Sequence, residues 1–221
     1  MHPRERTAAA LGLGLVLAVV IAAAGIRLET GIPGLRIVHR IAASLEVLVV
    51  LWLGWMAWRS PAVLIALGLS AFLSVVGIAA GQNPPPAAAA ANLLGGLALV
   101  AVFSWMLGAD GGSNRGLTPI FALLIAIQLG LGTWLAIVDR FAIALPVHAL
   151  LALALAATLG WFALARVRGR TGRVLFVLAL AAPIAGFTSL HYEYSAAAAL
   201  VHAVAAALLV ATTAYAVARG A

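Results

Sequence analysis

Three histidines, His39, His148 and His202, each lie a few residues into a long apolar run, and Asn92 holds the matching place in a fourth. A neutral imidazole in hydrocarbon needs a partner, and it is an able metal ligand. Two imidazoles at one depth on different helices can occupy the two axial positions of a single iron centre. Histidines at helix starts can equally hydrogen-bond at the membrane surface. Arg40 follows His39, and its guanidinium suits a bidentate grip on a carboxylate or a charge that sets topology. Glu46 lies seven residues after His39, on the same helical face and about two turns deeper. There it is a candidate acid or proton-path residue, or a salt-bridged structural carboxylate. His191 sits in LHYEYS beside Tyr192, Glu193 and Tyr194, either as an ordinary surface side chain or as a contact to a carboxylate, a metal or a partner subunit.

Other chemistries lack their residues. Cysteine is absent, which excludes disulfides, thiolate metal ligands and iron–sulfur clusters. No H-E-x-x-H run, Gly-rich phosphate loop or Ser-His-Asp set occurs, and Glu46 alone stands where a proton-coupled transporter would place midplane carboxylates.

The elements that must position these residues are membrane spans. The chain is 65% hydrophobic and 9% charged, a surface that water could not solvate. Apolar runs at 8–26, 37–58, 61–80, 88–107, 118–138, 145–165, 173–190 and 196–218 predict eight transmembrane helices. No small-residue cleavage site follows a lone short apolar segment, so the first run is expected to be a span. The net charge of +7 comes from Arg in short connections and does not point to nucleic acid. With the N-terminus inside, nine of the 13 arginines (Arg4, Arg6, Arg59, Arg115, Arg166, Arg168, Arg170, Arg173 and Arg219) fall on the cytoplasmic side. Arg27, Arg36, Arg40 and Arg140 fall outside, so both termini are expected in the cytoplasm. The three histidines then share one depth, just below the outer surface.

The even-numbered runs read as copies. Asn92 precedes Trp105 by 13 residues, as His148 precedes Trp161, which corresponds to ~20 Å along a helix. The tryptophans then reach the cytoplasmic interface as an aromatic belt. The chain divides into four helix pairs or two tandem four-helix units, with expected halves at 1–110 and 111–221.

The His-Arg pair in IVHRIAA, the run IQLGLGTWLAIVDRFAIALPVHALLALAL (127–155) and ALVHAVAAALL (199–209) resemble the heme A synthase family of cytochrome oxidase assembly. The resemblance implies an all-α fold of two pseudo-repeated four-helix bundles in the cell membrane. It also implies a b-type heme held by His148 and His202 near the extracytoplasmic surface. His39 matches one histidine of the family's N-terminal pair, around the site where heme O is oxidised, and Arg40 would hold a heme propionate there. The second N-terminal ligand position is Asn92, and the family's catalytic carboxylate position is Arg36. Three functions follow as expectations. One is a role in heme A formation, with a second heme at His39 left open. The second is a non-catalytic heme b subunit of a respiratory oxidase or dehydrogenase. The third is a heme-free membrane scaffold or transporter.

Overall fold

The computed structural model describes residues 1–81, 84–109, 118–137, 144–192 and 195–220. Among them the chain is all-helical, with α1 (Pro3–Arg27), α2 (Leu35–Ala57), α3 (Pro61–Ala80), α4 (Pro86–Gly108), α5 (Thr118–Ile137), α6 (Ala144–Ala165), α7 (Gly169–His191) and α8 (Ala196–Ala218). All eight are long and apolar enough to cross a bilayer. Their outward faces carry large apolar side chains, such as Trp55 at 87% and Ile78 at 83% exposure, as lipid requires. Several hydroxyls on these spans bond back into their own helices, as Ser74 Oγ does to the Ser70 carbonyl at 2.8 Å and Thr158 Oγ1 to the Ala154 carbonyl at 2.7 Å. This chain is a multi-pass membrane protein.

Most helix ends fall within two residues of the apolar runs, and the two exceptions have local causes. α1 starts at Pro3 because His2 and Glu5 form a reciprocal capping box, which draws Arg4 and Arg6 into the helix. α7 starts at Gly169, so the basic stretch is a three-residue turn, Arg166 to Arg168, followed by Arg170 and Arg173 within the helix. Arg115, Arg140, Glu193 and Tyr194, which entered the sequence reading, lie outside the described residues.

The two halves pack differently. α1, α2, α3 and α4 close into a ring, each against its chain neighbour and α4 back on α1. In the second half α5 packs on α6 and α4, α6 on α7, and α7 on α8, while α8 turns to α4 and α1. Among the described residues α5 and α8 thus stand apart. Phe121, Leu155, Leu159, Phe162, Leu175 and Val217 fill this second bundle toward the starts of α5 and α7 and the ends of α6 and α8. Toward the opposite end it opens into a cavity. The halves share a core, since Ala207, Val210 and Ala211 of α8 pack with Val16, Val100 and Phe103.

Of the tryptophans, Trp52, Trp55, Trp58, Trp134 and Trp161 are exposed, consistent with a belt. Trp105 is half-buried and packs against the second-half core.

Candidate functional site

His148 and His202 face one another across the open end of the second bundle. Their ring centres lie 6.4 Å apart and their planes cross at 77°. His148 is the fifth residue of α6 and His202 the seventh of α8. In the first half, His39 is the fifth residue of α2 and Asn92 the seventh of α4. The equal registers pair α2 with α6 and α4 with α8, which is the pattern of a tandem repeat of halves.

The hydrogen bonds repeat as well. His202 Nδ1 donates to the Ala182 carbonyl at 2.7 Å, 20 residues upstream on α7. Nδ1 therefore carries the proton, and the neutral ring keeps its lone pair on Nε2. His39 Nδ1 donates to the Val19 carbonyl at 3.2 Å across the same interval. His148 meets Gln128, again 20 residues back, whose amide nitrogen lies 3.2 Å from the His148 carbonyl and 3.4 Å from Nε2. The ring's Nδ1 and Gln128 Oε1 are buried with no hydrogen-bond partner among the described residues. An orphaned buried polar atom costs about 1–3 kcal/mol, which a ligand there would offset.

Room for both rings comes from glycines that sequence reasoning missed. A Cβ on Gly132 of α5 would sit 2.9 Å from His148 Cε1, and one on Gly186 of α7 would sit 3.1 Å from His202 Nδ1. Each glycine is 16 residues before its histidine. The same interval before His39 gives Ala23, and before Asn92 it gives Val76. That contrast was readable in the sequence, as the one signal that separates the halves.

Two adjoining chambers of 220 and 460 Å³ open on this pair. Together they lie within the ~300–1,000 Å³ of small-molecule and cofactor pockets. The first is walled by aliphatic side chains such as Leu93, Leu97, Leu129, Leu155 and Val210. The second reaches Arg27, Glu29 and Ser189, at the ends of α1 and α7.

The 6.4 Å between ring centres equals the length of a nitrogen–metal–nitrogen bridge between two imidazoles, while His148 Nε2 is here turned to the Gln128 amide of α5. Two bonds of about 2.0–2.1 Å plus about 1.2 Å from each nitrogen to its ring centre give about 6.4–6.6 Å. Rings turned about a common nitrogen–metal–nitrogen axis can cross at any angle. Among the described residues no group of three His, Cys, Asp or Glu side chains assembles.

The other candidate residues lie elsewhere. His39, Arg40, Glu46 and Asn92 line neither chamber, and Arg40 and Arg36 are exposed. Glu46 is buried in the first-half ring, where Ser70 Oγ donates to its two carboxylate oxygens at 2.7 and 2.8 Å. Among the described residues its partner is a hydroxyl and not the cation of a salt bridge. His191 is the last residue of α7, exposed, with its ring centre 5.0 Å from that of Tyr192.

The fold and the site thus define a helical membrane protein with an imidazole-flanked cavity in its second half. No family model, curated protein or solved structure matches the chain.

Proposed function

We propose that this chain holds one b-type heme between α6 and α8, with His148 and His202 as axial ligands, and that it is a membrane protein of the heme A synthase type. The observation that carries the reading is the facing imidazole pair at 6.4 Å over an apolar cavity. A porphyrin supplies four in-plane nitrogens to its iron, so two protein ligands complete the sphere, and its flat apolar body suits aliphatic walls. Bound there, the heme would supply one-electron chemistry. The chain's own part is to fix the His202 tautomer through Ala182, to clear the rings through Gly132 and Gly186, and to exclude water from the aliphatic chamber. By the positive-inside rule the site lies toward the extracytoplasmic face of the cell membrane.

Whether such a chain serves heme A formation or sits as an electron-carrying subunit in a respiratory oxidase or dehydrogenase turns on the first half. Arg36 and Asn92 stand at the carboxylate and second ligand positions, and neither chamber reaches His39. These observations favour the non-catalytic subunit. Chain purified from heme-replete cells should show a Soret band and a low-spin b-type α band. Both should vanish in His148→Ala and His202→Ala. A colourless wild-type preparation would sink the reading in favour of a heme-free scaffold or transporter. Conversion of added heme O to heme A by the reduced protein would overturn the subunit assignment alone.

A further inference from the structure

Arg27 ends α1, at the mouth of the cavity and outside the bundle that holds the two histidines. It lines both chambers together with His148 and His202, and among the described residues it is the only Arg that lines them. The side chain is half-buried, and among the described residues its guanidinium has no hydrogen-bond or ion-pair partner. A cation beside an aliphatic chamber is costly to leave uncompensated, and an anion delivered by the ligand would offset that cost. Glu29 also borders the outer chamber but is exposed. The inner wall is largely aliphatic, broken by Gln128 and Thr133, and the charged side chains Arg27 and Glu29 stand at the mouth. The cavity is therefore built for a flat apolar body with an acidic edge turned toward Arg27.

We infer that Arg27 grips a carboxylate of the bound ligand, which on the heme reading, on which this rests, is a propionate. The planar guanidinium offers two parallel N–H donors to such a group. Arg40, the basic residue beside His39, is exposed and touches neither chamber. The anchor is thus contributed by the first half of the chain to the site of the second.

The test compares heme b with its propionate dimethyl ester in the full-length protein in detergent. Wild type should release heme b about 10- to 100-fold more slowly than the ester, the range expected for a charge-assisted pair. Arg27→Gln should abolish that difference and lower the heme midpoint potential, because an uncompensated propionate favours the ferric state. Arg27→Lys should restore the potential in part. Equal release of heme b and ester by wild type would overturn the inference and leave the heme reading intact, and that arm needs no folded variant. An unchanged potential in a heme-loaded Arg27→Gln protein would do the same. A wild-type chain that takes up neither heme b nor the ester would overturn both.

Discussion

At the scale of single residues, the site is defined as much by what is missing as by the imidazoles. Gly132 and Gly186 sit where any Cβ would press on a histidine ring. Gly186→Ala is expected to push His202 off the Ala182 carbonyl and to lower the low-spin α-band amplitude per mole of protein severalfold. Alanine is the better helix former by about 1 kcal/mol. The helical content by circular dichroism should therefore hold or rise while the heme signal falls. A loss of both together would mean that the glycine serves the fold and not the ring. The Glu46–Ser70 pair is expected to be structural. Ser70→Ala leaves a buried carboxyl without its only hydrogen-bond partner among the described residues. Stability in a detergent unfolding titration should drop by about 1–3 kcal/mol, with the heme spectrum unchanged. A Ser70→Ala protein as stable as wild type would show that the carboxyl finds another partner.

At the scale of helices, the spans were legible because a bilayer imposes a length and an apolar composition on each segment separately. His39, His148 and His202 were legible as a set because depth along a helix can be counted from its start. What a neighbouring helix presents to them was not. That depends on how far two helices slide past one another, which the connections and the packing set. The 16-residue Gly–His interval could be counted in the sequence but acquires a meaning, like the 20-residue carbonyl–His interval, only once α5 is laid on α6 and α7 on α8. Arg27 stood in the sequence as an interfacial charge because helix-end arginines commonly play that part. Only the approach of α1 to the second bundle brings it to the cavity. The same approach depends on α8, whose contact with α4 needs Gly108: a Cβ there would lie 2.5 Å from the Tyr215 carbonyl oxygen and 2.8 Å from Ala218 Cβ. Gly108→Val is expected to cost about 1–3 kcal/mol through overpacking. Gly68→Val, on α3 with nothing within 4 Å of its Cβ, should cost nothing, since valine is the better helix former. Equal destabilisation of the two would remove the α4–α8 seam as a determinant.

At the scale of the whole molecule, the halves repeat a plan but not a packing state. The first closes its ring around Val50, Val63 and Phe103, while the second keeps α5 and α8 apart and leaves the cavity between them. A ring closed by direct helix contact has already used the surfaces that a ligand would cover. The open half exposes them on the side where α1 delivers Arg27. The orientation of this plan rests on the arginine count, and the absence of cysteine makes it directly measurable. Single cysteines can be introduced at Glu29, in the connection beside the cavity mouth, and at Arg168, in the turn between α6 and α7. In intact spheroplasts, a membrane-impermeant maleimide should label Glu29→Cys and should reach Arg168→Cys only after permeabilisation. The reverse pattern would turn the molecule over and set the cavity toward the cytoplasm. A proposed heme would then exchange electrons with cytoplasmic donors, and the positive-inside rule would fail for the most arginine-rich connection in the chain.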